Sequence, residues 1–101
     1  MLIATATRAY PLTHHAARRA QQRAISATVL DLLLDYGDRF VAGGGAEIVR
    51  IGQHGRYELA RELSPATWRE HGRKLQTAYA VVAADGAVVT VGHRFRRMER
   101  H

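Results

Sequence analysis

Two short stretches hold side chains that could move protons or grip phosphate. "THHAARRAQQRAIS", Thr13 to Ser26, sets two histidines and three arginines in an alanine-rich background. "VGHRFRR", Val91 to Arg97, places His93 beside Arg94, with Arg96 and Arg97 close behind. A histidine titrates near neutrality, and a guanidinium carries a permanent charge on a fork of donors that matches phosphate. Together they are the minimum for metal-free RNA cleavage. Arginine neutralises the phosphate as the 2′-hydroxyl attacks, and histidine moves a proton to or from a ribose oxygen. In that chemistry His15, His93 and Arg94 are the catalytic candidates, and Arg18, Arg19, Arg23, Arg96 and Arg97 are the phosphate-binding ones.

Each stretch also has a plainer reading. At about 100° per residue, His15, Arg18, Arg19, Gln22 and Arg23 share one side of a helix, and Ala16, Ala17, Ala20 and Ala24 share the other. Arg19 and Arg23, one turn apart, can close on one phosphate or two successive ones, with His15 a further turn toward the N-terminus. A solvated helix face has the same pattern. In "VGHRFRR", strand alternation sends His93 and Phe95 to one side and Arg94 and Arg96 to the other. Charged strand ends also guard an edge against aggregation.

The 101 residues fit one domain, 1–101, with one modest core and no room for separate catalytic and binding domains. At 47% hydrophobic and 24% charged residues, the balance is that of a chain that folds. Fifteen Lys+Arg against nine Asp+Glu give a formal charge of +6, and the pI is about 10.8. That field concentrates polyanions such as RNA or DNA, or an acidic protein partner, without choosing among them. Lys74 is the one lysine; every other basic side chain is arginine, which suits bidentate phosphate contacts and equally reflects an Ala/Arg-rich composition.

Several chemistries are excluded or unsupported. With no cysteine there is no disulfide, thiolate nucleophile or cysteine-ligated zinc. His14 and His15 point about 100° apart on a helix, and no histidine lies four residues from another, so no metal is expected. The triple glycine Gly43–Gly45 lacks the Lys-Ser/Thr of a phosphate-binding P-loop, and there is no dinucleotide fingerprint, so no cofactor is expected. No nucleophile elbow supports Ser-His-Asp chemistry. The start "MLIATATRAYPL" does not read as a leader, and no apolar run suits a membrane span, so a cytoplasmic protein without membrane contact is expected.

The elements that must position these residues follow from pattern. Thr13 can cap a helix running to about Ala24. Ser26 can cap a second, with Ile25 and Leu30 at the staple positions, Val29, Leu30, Leu33 and Leu34 as its buried stripe, and Gly37 at a left-handed C′ position. "DRFVAGGGAEIVRI" predicts a hairpin turning at Gly43–Gly45. Arg56 to Leu63 predicts a helix with Leu59 and Leu63 four apart, and Ser64-Pro65 starts another, anchored by Trp68 and Leu75. Ala78 to Ala83 and Ala87 to Phe95, joined by "ADG", predict a second hairpin with Tyr79 in the core. The expected fold is α+β, with helices packed on a four-stranded antiparallel sheet.

The pattern His15-Ala16-x-x-Arg19-x-x-x-Arg23-x-Ile25-Ser26 resembles the opening helix of an uncharacterised bacterial domain family often compared with toxins, and "VLDLLLDYG" resembles that family's second helix. "VVTVGHRFRRMER" is similar to the last strand of RelE/ParE-like toxins, where a His-Arg pair ends the sheet. The resemblance implies a RelE/BrnT-like fold and, in the RelE branch, cleavage of messenger RNA on the ribosome under the control of a cognate antitoxin, with Arg94 as a phosphate-binding residue. Met98 stands near the position of an expected tyrosine, and ParE-like relatives act on DNA gyrase instead. Two functions are therefore carried forward: a toxin-like RNA-binding protein with metal-independent endoribonuclease activity, and a non-enzymatic module that docks nucleic acid or an acidic partner.

Overall fold

The computed structural model describes residues 11–94. In chain order these form α1 (His14–Gln22), α2 (Ala27–Tyr36), β1 (Asp38–Gly43), β2 (Ala46–Arg50), α3 (Gln53–Glu62), α4 (Pro65–Thr77), β3 (Ala78–Val82) and β4 (Val88–His93). The strands make one antiparallel sheet in the order β1-β2-β3-β4. The expected α+β architecture with a four-stranded antiparallel sheet is therefore present. Phe95, Arg96, Arg97 and Met98 lie outside the described residues.

Local signals set most boundaries. The Thr13, Ser26 and Ser64 hydroxyls accept hydrogen bonds from the Ala16, Val29 and Thr67 amides, capping α1, α2 and α4, and Pro65 occupies the first turn of α4. The β1-β2 turn places Gly43, Gly44 and Gly45 all at positive φ, which glycine adopts at no steric cost. Gly37 departs from expectation. It sits at φ −66°, ψ 146°, an extended conformation, and glycine is needed there because a Cβ would collide with Val49 and the Leu33 carbonyl. α3 begins at Gln53, three residues earlier than the pattern from Arg56 predicts.

One face of the sheet carries the core. Val49, Ala78, Ala80, Val82, Val88 and Val91 are buried together with Ala16, Ala20, Val29, Leu30, Leu33, Leu59 and Leu75 from the helices, and Trp68 packs against this cluster. Each fully buried Leu or Val contributes roughly 1.5–3 kcal/mol of transfer free energy. The opposite face, with Phe40, Ile48, Arg50, Tyr79, Val81 and Thr90, stays partly exposed. Tyr79 therefore belongs to the open face, not to the core.

α1 lies along β4. At its start the Thr13 amide donates to the Val88 carbonyl (3.0 Å) and the Val88 amide to the Pro11 carbonyl (2.8 Å). At its end the chain leaves the helix in a Schellman turn: the Ile25 amide reaches the Ala20 carbonyl (2.8 Å), the Ala24 amide the Gln21 carbonyl (3.2 Å), and Ala24 takes φ 57°. A left-handed alanine costs about 1–2 kcal/mol. Replacing exposed Ala24 by glycine is expected to raise stability by about 0.5–1 kcal/mol, net of the added freedom of the unfolded chain. Urea denaturation of Ala24→Gly against wild type checks this; an unchanged or lowered midpoint contradicts it.

Candidate functional site

The C-terminal ends of α1, α4, β2 and β4 gather at one end of the sheet, and His93, Arg94 and Arg23, three of the basic residues singled out by sequence, meet there. Helix C-termini leave carbonyls without intrahelical partners, and cations are favoured beside them. Here the carbonyl of Arg23 takes a hydrogen bond from the His93 imidazole, and the carbonyl of Ala24 takes one from Lys74 Nζ at 3.1 Å. The Nδ1 atom of His93 lies 2.7 Å from Thr77 Oγ1, which also reaches the Lys74 carbonyl at 3.2 Å. His93 thus joins the end of β4 to the ends of α1 and α4.

Burial lowers the pKa of His93 below its ordinary 6.5; the hydrogen bond to the Arg23 backbone opposes the shift, and the charges of Lys74 and Arg23 add to it. The fold therefore favours the neutral ring.

Arg94, the next residue, goes the other way. Cross-strand pairing places His93 opposite Ala78 on the core face, while Arg94 follows Gly92 onto the open face. Its amide donates to the Thr77 carbonyl (2.8 Å) and its Nη2 to the Gln76 carbonyl (3.3 Å), which fixes where the side chain leaves the strand. There it lines a surface cleft of about 410 Å³ with Arg50, Ile51, Gly52, Gln53 and Arg56. That volume is in the range of small-ligand pockets. Arg50 from β2, Arg56 from α3 and Arg94 from the end of β4 therefore line one concavity.

The cleft opens at the N-terminus of α3. Gly52 supplies no side-chain cap and the first turn carries no acidic residue, so the positive end of the helix dipole adds to the arginine field. Asp38 is the counterweight: its Oδ2 accepts the Gly55 amide at 3.3 Å, and a Cβ at Gly52 would collide with that carboxylate. Arg50 lies over the Phe40 ring with Cζ 4.1 Å from the centroid. Among the described residues neither Arg50 nor Arg56 forms a salt bridge with a carboxylate, whereas Arg39 pairs with Glu47 at 3.2 Å and Arg61 with Glu58 at 4.0 Å.

The sequence-predicted residues fall into four groups. His93, Arg94 and Arg23 do meet at this end of the sheet, but on two different sides of it. Arg18 is exposed; Arg19 is half-buried, with its Nε shielded from solvent; neither pairs with a carboxylate among the described residues. His15 stands at the other end of α1, about 12 Å from Arg23 along the helix axis. Arg96 and Arg97 lie outside the described residues. Sequence reasoning missed Arg50, Arg56, Gln53, Lys74 and Thr77. The available signal was "IGQHG", where Gly52 before polar residues marks a helix start with no side-chain cap.

Among the described residues no group of three or more His, Asp or Glu could hold a metal ion. No described helix is long and apolar enough to cross a membrane. No protein-family model, curated protein or solved structure matches the chain.

Because the folded state favours neutral His93, the unfolded chain binds more protons once pH falls below 6.5. The stability His93 contributes is thus complete above pH 6.5 and declines as pH drops toward its lowered folded-state pKa. His93→Gln is expected to flatten the fall in unfolding free energy between neutrality and mild acid, and to cost roughly 1 kcal/mol at neutral pH. Denaturation midpoints across that range measure both effects; an unchanged slope contradicts the assignment.

Proposed function

We propose that this protein binds nucleic acid through its backbone phosphates, with RNA as the ligand that the resemblance to RelE/ParE-like toxins suggests. The observation that carries this reading is the cleft of Arg50, Arg56 and Arg94 at the N-terminus of α3. Three arginines line a space able to admit phosphate, beside a helix start whose Gly55 amide is taken by Asp38. The +6 charge draws a polyanion toward it. Kinship of the fold with RelE/BrnT-like toxins is part of the same proposal, supported by helices packed against one face of a four-stranded antiparallel sheet.

The geometry favours binding over cleavage. A general acid or base must reach the ribose oxygens next to the bound phosphate. His93 is hydrogen-bonded to Thr77 and to the backbone of Arg23 on the core face, away from the Arg94 side. His15 is a helix length away. His93 is thus a positioning residue for the sheet end, and Arg50, Arg56 and Arg94 are the phosphate-binding residues.

Arg50→Ala and Arg56→Ala are each expected to weaken RNA affinity roughly tenfold and to make the salt dependence shallower, with Arg18→Ala having a smaller effect. Fluorescence anisotropy with labelled RNA over a series of salt concentrations measures this. Salt-insensitive binding, or binding unaffected by either variant, overturns the reading. Incubation with messenger RNA and ribosomes in EDTA is expected to leave the RNA intact. Cleavage abolished by His15→Ala or Arg94→Ala would establish the enzymatic function instead.

A further inference from the structure

The open face of the sheet meets the arginine cleft at Arg50, which belongs to both. One cross-strand row on this face is Phe40, Ile48, Val81 and Thr90, and the next, at the cleft end, is Asp38, Arg50, Tyr79 and Gly92, with the Asp38 carboxylate engaged by the Gly55 amide. Adjacent rows on one face of a strand are about 7 Å apart. Phe40 is 38% exposed on edge strand β1, and Tyr79 is half-buried. The Tyr79 ring rests on the backbone of Gly92, where any Cβ would meet ring atoms at 3.0–3.1 Å. The absence of a side chain on β4 lets the tyrosine lie across the strand. Arg50 connects the two features, since it lines the cleft and its guanidinium covers the Phe40 ring.

We infer that the ligand is a single-stranded nucleic acid whose bases stack on the Tyr79 ring and on the Arg50–Phe40 pair across the open sheet face, while a backbone phosphate occupies the cleft lined by Arg50, Arg56 and Arg94. This rests on the phosphate-binding reading and adds the class of nucleic acid and the surface that selects it. Base stacking on aromatic side chains requires unpaired, splayed bases, because a duplex hides their faces. Charge argues for this occupant over a second copy of the chain. Facing two such surfaces would bring two arginine clefts of the same sign together, whereas a polyanion neutralises one.

The test uses the full chain with a short oligouridylate, an RNA duplex of equal length and inorganic phosphate as probes. The variants are Phe40→Leu and Tyr79→Leu, which keep apolar bulk without a ring, and circular dichroism confirms that they fold. The single strand is expected to bind about tenfold or more tightly than the duplex, and each variant to lose about fivefold or more in single-strand affinity while phosphate binding is unchanged. Equal affinity for duplex and single strand, or folded variants that bind oligouridylate like wild type, overturns the stacking inference. The phosphate reading survives either result if Arg50→Ala still loses inorganic phosphate. Failure of all three probes to bind overturns both. A dimer in sedimentation velocity that Tyr79→Leu dissociates also overturns the inference, by giving this face to a second copy.

Discussion

The C-terminus of α1 is the constraint on which the rest of the molecule turns. Its last carbonyls have no partners within the helix, and turn amides and cationic side chains are favoured beside them. The chain meets the demand twice over. The Schellman turn takes the carbonyls of Ala20 and Gln21, and His93 and Lys74 take those of Arg23 and Ala24. Through these contacts α1, α4 and β4 are held at a single point. The one lysine of the chain is engaged here, so it answers a structural need and not the electrostatic one suggested by composition.

Fixing His93 on the core side has a direct consequence for chemistry. Strand alternation then obliges Arg94 to leave β4 on the open side, where it meets Arg50 from β2 and Arg56 from α3. Histidine and arginine, adjacent in sequence, are separated by the thickness of the sheet. The arrangement lines the cleft with three arginines beside a helix start held by Asp38, and it gives the histidine a structural task elsewhere. On the proposed reading the cleft binds phosphate by charge alone, without help from an acid or base.

Much of the fold was legible because its signals are local. Thr13, Ser26 and Ser64-Pro65 announce helix starts through side-chain chemistry that acts within three residues, and the two hairpins announce themselves through glycine turns between β-rich runs. Less was legible wherever meaning depends on a distant partner. Gly37 looks like a left-handed cap but is required by the approach of Val49, twelve residues along the chain. Tyr79, flanked by alanines, looks like core, yet pairing with Arg50 and Gly92 puts it on the open face. The arginine cleft was hidden for the same reason: Arg50, Arg56 and Arg94 belong to no common motif, and only the sheet order brings β2 and β4 to either side of β3. The stripe on α1 was visible in the pattern, but a helix places His15 and Arg23 at opposite ends, and no pattern told which end would lie beside His93.

The most direct test of the account is to follow the arginine Nε–Hε resonances of the isotopically labelled protein while oligouridylate is added. The account predicts that Arg50, Arg56 and Arg94 shift together and saturate at one ligand concentration, with Arg18 little changed. Shifts concentrated on Arg18, Arg19 and Arg23, with the cleft arginines unmoved, would contradict it.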